Sequence, residues 1–388
     1  MIGMIRMIKN KLFVTAFIAD IHFGAMKADD LYNQLEKYFL EKLKYRTIDL
    51  VVIGGDLFHN VITMNYSTSH IVLMFMENLI NICKEFHIPH IRIIQGTISH
   101  DNNQLHNFHM FEGRDDIDFK IIMNVIDEEF PEGIKVLYLP EEYMKNQEIY
   151  YEDYFDHHKN HYDLIFGHGM VEEMSFTAKN QTSENSMSLA PIFSTKKLLN
   201  ICKGPVLFGH IHVGTVVKGR LYYPGSFSRW KFGEDGRKGW IINIYNIEDS
   251  TYVNEYIENK DAPIYTTVKV ELNEELNNNP EKIMDFIKDI KADKIAVKLI
   301  SHDNASAYAI QYIIGKFKNN DKIKLEISNQ GEIELDEDEQ NLLDNLEDKY
   351  KFILDENLSF SQILQKAILI QKGKIIPLEF INEELEGK

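Results

Sequence analysis

Along roughly the first 260 residues, short and uniformly apolar runs alternate with longer segments of helical spacing. FVTAFIAD (13–20), LVVIGGD (50–56), IRIIQG (91–96), LIFG (164–167) and VLFG (206–209) lack the polar face of an amphipathic helix and read as strands buried on both faces. Segment 29–46 places Leu31, Leu35, Phe39 and Leu43 four residues apart, and 69–86 has a helical pattern too, so both predict helices. This strand–helix–strand rhythm argues for βαβ units. KVLYLPEE (135–142), LYYPGS (221–226) and GWIINIYN (239–246) predict further strands, giving two packed sheets flanked by helices.

The pattern changes at ENKDAPI (258–264), which reads as a linker closing a first domain of residues 1–260. Between 265 and 330, three strand-like runs (TTVKVEL, KIAVKLIS and KIKLEIS) enclose two helical ones (PEKIMDFIKDIKA and SAYAIQYIIGKF), a small βαβαβ unit. The remainder, 331–388, carries an acidic stretch (Glu332–Asp348) and the helical pattern SFSQILQKAILIQ. Its apolar stripe of Ile363, Leu364, Ala367, Ile368 and Ile370 suits packing on its own domain or on a partner. Val171–Thr195 is polar and aperiodic, and predicts a long mobile loop near the site.

Chemistry enters where the apolar runs stop. The first ends in Asp20 and His22, the second in Asp56 and His59, the third in Ser99, His100 and Asp101, the fourth in His168 and the fifth in His210 and His212. Open α/β folds place their sites at the ends of strands along one sheet edge. In an extended segment side chains two apart share a side, so Asp20 with His22, or His210 with His212, can grip one ion. Gly54 and Gly55 let the backbone turn sharply before Asp56, where a carboxylate can bridge two metals. A lone histidine or an isolated D-x-H is more often structural. Five ordered clusters using six of the 15 histidines instead point to a two-metal centre. Imidazole with carboxylate suits manganese, iron or zinc, and the absence of cysteine from the set argues against structural zinc.

Bulk properties narrow the class. A hydrophobic fraction of 44% and a charged fraction of 26% are those of a soluble globular protein, and no run approaches a membrane span. MIGMIRMIKNKL lacks a signal-peptide apolar region, and two cysteines, Cys83 and Cys202, make no disulfide framework, so a cytoplasmic setting is expected. A net charge of -18 disfavours simple phosphate binding by surface bases, although bound cations offset it locally. Arg220, Arg229, Lys231, Arg237 and Lys238 cluster around the YPGS turn and suit either a DNA-tracking patch or a solvated hairpin. Trp230 is expected in the core rather than stacked on a base. Asp156, His157, His158 and His161 read as an exposed polar cluster, and His106 and His109 as surface residues.

DIH, GGDLFH, the SHD segment, GHG and GHIH, in that order, resemble the calcineurin-like metallophosphoesterase superfamily. The terminal His59, the GHIH ending, YPGS (Tyr223–Ser226) and the small βαβαβ unit resemble its SbcD-type DNA repair nucleases. The resemblance implies an α/β fold: a two-layered sandwich flanked by helices, a C-terminal α/β capping domain and a helical tail. It implies two Mn2+ ions, the first on Asp20, His22, Asp56 and His212, the second on the bridging Asp56 with His168 and His210. His59 would orient the scissile phosphate, and His100, steadied by Asp101, would contact it or protonate the leaving oxygen. Exonuclease action on duplex ends, endonuclease action on single strands, an SMC-like ATPase partner and a homodimer follow from the same resemblance. A small-molecule phosphodiesterase, a phosphoprotein phosphatase and a non-catalytic DNA-end-binding subunit are the competing readings.

One segment departs from the family. Where it reads Gly-Asn-His-Asp, this chain reads Gly96-Thr97-Ile98-Ser99-His100-Asp101, without the amide ligand of the second metal and with two extra residues. Ser99 is the expected substitute, with Thr97 or a water as alternatives, and a neutral hydroxyl predicts a second metal held less tightly than the first.

Overall fold

The computed structural model describes residues 11–62, 67–144, 147–155, 161–174, 190–301, 307–317 and 320–329. Its strands are β1 (Leu12–Ile18), β2 (Leu50–Gly54), β3 (His90–Ile94), β4 (Asp118–Ile122), β5 (Ile126–Glu129), β6 (Lys135–Leu139), β7 (Leu164–His168), β8 (Met170–Val171) and β9 (Ile192–Phe193). They continue as β10 (Val206–Gly209), β11 (Thr215–Val217), β12 (Leu221–Tyr223), β13 (Gly239–Asn246), β14 (Tyr252–Glu258), β15 (Tyr265–Glu271), β16 (Lys294–Ser301) and β17 (Ile323–Asn329).

Two six-stranded mixed sheets form the larger body. One runs β14-β13-β1-β2-β3-β4 and the other β11-β12-β10-β7-β6-β5. In the first, β1, β2 and β3 are parallel, with Ile18 beside Ile53 and Gly54 beside Ile94. In the second, β6, β7 and β10 are parallel, with Leu139 beside Gly167 and His168 beside Gly209. In-register parallel strands finish together, so each sheet delivers three strand ends to one edge.

The sheets pack face to face through a shared apolar layer. Phe13, Phe17, Leu50 and Val52 of the first meet Val136, Tyr138, Phe166 and Leu207 of the second, all fully buried. Phe17 lies stacked on Phe166 with ring centroids 5.8 Å apart. Helices cover the outer faces. Ser67–Glu85 and the segment Ala28–Leu43, continuous through a π-helical turn at Glu36–Leu40, pack on the first sheet; Gln147–Phe155 and Thr195–Ile201 pack on the second. The Leu31, Leu35, Phe39 and Leu43 stripe is fully buried there.

Beyond β14, a third sheet, β15-β16-β17, is wholly parallel. Helices Glu281–Lys288 and Ala307–Phe317 connect its strands and share a core of Ile283, Ile287, Val297, Leu299 and Ile313. The acidic stretch and the helical stripe at 359–371 lie outside the described residues, as do Asp156, His157 and His158. At the ends of the expected loop at 171–195, β8 and β9 pair and a 3-10 turn spans Glu172–Met174; residues 175–189 lie outside the described residues. Cys83 and Cys202 are both buried and free. No helix among the described residues is long and apolar enough to cross a membrane.

Because Phe17 fills the layer between the sheets, Phe17→Ala is expected to lose about 3–5 kcal/mol of stability in urea unfolding. A loss under about 1 kcal/mol would contradict a close-packed inter-sheet layer at this position.

Candidate metal centre

The ends of β1, β2, β7 and β10 bring the clusters together. Asp20, His22, Asp56 and His212 present ligand atoms within 4.8 Å of one another, and so do Asp56, His168 and His210. Asp56 belongs to both groups. All six residues are buried, drawn from both sheets and from positions up to 192 residues apart in sequence.

The turns that aim these side chains are not extended. Asp20 (φ 52°), His22 (φ 55°), Asp56 (φ 51°) and His210 (φ 101°) hold positive φ, four of the seven such non-glycine residues described. The left-handed region is strained for most side chains and gathers at functional sites, with Asp and His among the residues that tolerate it best. A ladder between the two loops holds the strain: Asp20 N–H donates to Gly55 O (3.0 Å), His22 N–H to Asp56 O (3.0 Å) and Phe23 N–H to Leu57 O (2.9 Å). Gly96 is required by contact. A Cβ there would lie 2.2 Å from the Asp56 nitrogen and 2.3 Å from Asp56 Oδ1.

Hydrogen bonds on the far ring nitrogens fix the histidine tautomers. His168 Nδ1 donates to Gly54 O (2.8 Å), leaving Nε2 to face the cluster, 3.3 Å from Asp56 Oδ1. His212 Nδ1 donates to Glu234 Oε1 (2.6 Å), leaving Nε2 for the cluster, 2.9 Å from His22 Nε2. A carboxylate behind a ligating histidine sets its orientation and raises its basicity. Glu234 is itself fully buried and takes the Lys238 ammonium at 3.4 Å. Burial raises the Glu234 carboxyl, but the His212 bond and the two nearby lysines outweigh it and hold it below its usual range. Asp20 accepts from the His210 backbone N–H through both oxygens (2.9 and 3.1 Å).

Neighbouring ligands bonded to one ion at about 2.1 Å stand about 3 Å apart, so the spacings of 2.9 Å between the His22 and His212 Nε2 atoms and 3.3 Å between His168 Nε2 and Asp56 Oδ1 fit metal coordination. The donor set is mixed N/O without sulfur, which suits a first-row divalent cation. These side chains can bind metal ions.

Several residues take roles other than those expected. Ser99 is exposed on the short helix Ile98–Asp101, whereas Thr97 is buried with its hydroxyl 3.4 Å from Asp56 Oδ2 and 3.5 Å from both His168 Nε2 and His210 Nδ1. The two extra loop residues form that helix, which turns the Ser99 side chain outward and leaves Thr97 at the cluster. Asp101 is a clamp on backbone groups. It accepts the backbone N–H groups of Gly96 (2.7 Å), Asp56 (3.1 Å) and Phe58 (3.1 Å), clamping two loops together. His100 Nδ1 donates instead to the His59 carbonyl.

Trp230 is not a core residue. It is half-buried beside the centre, its ring centroid 4.5 Å from that of His59, 5.3 Å from His22 and 5.6 Å from His212, with Lys231 Nζ 5.0 Å from the indole. Three of the five bases around YPGS serve the fold. Arg220 donates to the carbonyls of Cys202, Lys203 and Gly204, Arg229 to those of Glu234, Pro263 and Gly236, and Lys238 Nζ to His212 O and Ser226 Oγ. His106 and His109 are exposed and bonded to each other.

Two buried carboxylates escaped the sequence reading. Glu234 lies 22 residues beyond His212 with no spacing that signals the contact. Glu141 did carry a signal: it ends KVLYLPEE, a sixth apolar run finishing in acid. Its Oε2 stands 3.1 Å from His210 Nδ1 and 3.8 Å from His168 Nε2.

No family model matches this chain, and no curated protein matches it. Among solved structures it is similar to wild-type Vps29 of Entamoeba histolytica complexed with Zn2+, at 12% identity and a TM-score of 0.27, over 64% of this chain and 100% of that one. It is also similar to a hypothetical protein from Thermus thermophilus, at 11% identity and a TM-score of 0.34, over 63% of this chain and 99% of that one. A mutant cold-active protein tyrosine phosphatase aligns at 12% identity and a TM-score of 0.28, over 63% of this chain and 80% of that one. Likenesses this weak support no statement about this chain's chemistry.

Burial opposes charge on His168, but Asp56, then Asp20 and Glu141, outweigh it and raise it to about 10. In the metal-free protein that charge stabilises the fold fully below about 6.5 and its contribution fades as pH rises through about 10. A cation needs the same Nε2 lone pair, so metal binding at pH 7.5 is expected to release protons and to tighten as pH rises. Titration calorimetry in two buffers of different ionisation enthalpy measures the release; binding without it would contradict a protonated His168.

Proposed function

We propose that this chain is a two-metal phosphoesterase of the calcineurin-like superfamily, acting on DNA phosphodiester bonds in the manner of SbcD-type repair nucleases. The observation that carries the reading is the sharing of Asp56 between two ligand groups that each draw on both sheets. Asp20, His22, Asp56 and His212 would hold one Mn2+, and Asp56, His168 and His210 the other. Bound there, two divalent cations supply Lewis acidity and an activated water for in-line displacement at phosphorus.

The chain's own groups divide the remaining work. His59, with a ligand atom in the same close group as His22 and His100, lies beside the first site. Burial and the adjacent His100 push it down to about 4, so it is neutral at pH 7 and orients a phosphate oxygen by hydrogen bonding rather than by charge. His100 has its Nδ1 proton committed to a carbonyl, which leaves Nε2 to exchange a proton with the leaving oxygen. Glu234 keeps the His212 Nε2 lone pair available, and Asp101 holds the Asp56 and Gly96 loops in contact.

Support for a nucleic-acid substrate comes from the surface beside Trp230. Trp230, Phe232 and Tyr265 line a cavity of about 560 Å³ together with Lys231, Lys294, Lys322 and Lys324, against two acids, Asp321 and Glu326. Aromatic faces interleaved with lysines suit stacked bases and a phosphate backbone. On this reading the third sheet is a capping domain. The partner assignments, an SMC-like ATPase at the C-terminal tail and a second copy of this chain, rest on the resemblance, and the tail lies outside the described residues.

The test is cleavage of labelled duplex and single-stranded DNA with Mn2+, comparing wild type with His100→Ala. The variant is expected to lose about a hundred- to ten-thousand-fold in kcat while still binding metal. Hydrolysis of small phosphodiesters or phosphopeptides without any DNA cleavage would sink the nuclease assignment. DNA binding without metal-dependent cleavage would leave the non-catalytic reading.

A further inference from the structure

The second ligand group contains one carboxylate and two imidazoles, and Glu141 stands directly against it. The glutamate follows Pro140 at the end of β6, whose parallel neighbour β7 delivers His168. Its backbone N–H donates to Gln95 O (3.3 Å), tying this strand end to the loop after β3. Glu141 is 1% exposed. Its Oε2 lies 3.1 Å from His210 Nδ1, 3.3 Å from Thr97 Oγ1 and 3.8 Å from His168 Nε2. Its Oε1 is buried with no hydrogen-bond partner among the described residues.

A carboxylate taken out of water demands several partners, and one imidazole with one distant hydroxyl leaves most of its lone-pair capacity unused. Its Oε2 is as close to His210 Nδ1, at 3.1 Å, as Asp56 Oδ1 is to His168 Nε2, at 3.3 Å, with His168 Nε2 somewhat farther at 3.8 Å. We infer that Glu141 is a direct protein ligand of the second cation, completing with Asp56, His168 and His210 a set of two carboxylates and two imidazoles. The inference rests on the two-metal reading and adds to it the ligand that GTISHD lacks. Thr97 then serves the carboxylates rather than the metal, its backbone N–H donating to Asp56 Oδ1 (2.6 Å) and its hydroxyl within reach of Asp56 and Glu141.

The consequence reverses the expectation drawn from the missing amide. A second site completed by a hydroxyl would be the weaker one. Completed by Glu141, it carries two carboxylates, as many as the first site with Asp20 and Asp56. A hard anionic oxygen also favours manganese or magnesium over softer ions.

The experiment titrates metal-free wild type, Glu141→Gln and Thr97→Ala with Mn2+ by calorimetry and follows the spin-coupled signal of a manganese pair by low-temperature EPR. Wild type is expected to bind two ions. Glu141→Gln should lose more than about tenfold in affinity at one site, a scale that even outer-sphere partners reach, and should lose the coupled signal with the other site unchanged. Thr97→Ala should stay within about threefold. Thermal unfolding without metal checks folding: Glu141→Gln should still unfold in one cooperative transition, at a lower midpoint because His210 loses a buried ion-pair partner, and should shrink the shift that Mn2+ produces. Two wild-type sites in Glu141→Gln would overturn the Glu141 assignment and leave the two-metal reading intact, because the amide preserves a hydrogen-bond acceptor for His210. Loss of the second site in Thr97→Ala alone would give the position to the hydroxyl and also overturn it. Fewer than two ions on wild type would overturn both.

Discussion

Every part of the centre depends on one carboxylate reaching histidines of two different sheets. Asp56 projects from the end of β2, yet His168 and His210 belong to the opposite sheet, so its position tolerates little error. The backbone meets this demand by turning through a left-handed residue straight after Gly54 and Gly55. Gly55 must be bare because a Cβ there would fall 2.2 Å from His168 Nδ1. The Asp56 N–H is then held by Asp101, and its Oδ1 by the Thr97 N–H. Close approach of the sheets is therefore part of the site. The Phe17 and Phe166 pair sets the separation below the centre, and Gly54 admits the Phe17 ring where a Cβ would meet it at 2.4 Å.

Much of this was legible because buried parallel strands are easy to see and their ends share an edge. The runs ending at Asp20, Asp56, His168 and His210 correspond to β1, β2, β7 and β10, and the helical stripe Leu31–Leu43 is buried as its four-residue spacing implies. The reason first given for pairing Asp20 with His22 does not hold in the structure. Both have positive φ, so they converge through a strained turn rather than through the alternation of an extended strand. Spacing two apart found the pair, but by the wrong geometry.

What stayed hidden depends on contacts that sequence distance does not encode. The Glu234 contact to His212 is made by the loop before β13, and Lys238 turns inward to the same carboxylate. The same folding-back buries Lys238 and ties Arg220 and Arg229 to the backbone, so three bases of a cluster that looked ready for a phosphate backbone instead satisfy carbonyl groups. Ser99 and Thr97 differ for a more local reason. Two added residues let the segment after Gly96 coil into the turn Ile98–Asp101, which faces Ser99 to solvent and leaves Thr97, before the turn, beside His168 and His210. Glu141 is the instructive omission. Its run obeyed the rule that singled out the other five, but ended in glutamates without the histidine that marked the others as a site.

On the proposed two-metal reading, charge links the absence of a neutral amide ligand to the presence of Glu141. With Glu141 included, the three ligand carboxylates Asp20, Asp56 and Glu141 face two divalent cations, leaving one unit of positive charge at the centre. That is equal and opposite to the charge of one phosphodiester. A centre built with only two carboxylates would hold a larger excess, and the four histidines would have to carry it as neutral donors in a dry environment. The chain as a whole carries a net charge of -18, so attraction for a polyanion has to be made locally, at the metals and at Lys231 beside Trp230. On the proposed reading, a third carboxylate would limit that attraction to about one phosphate at a time.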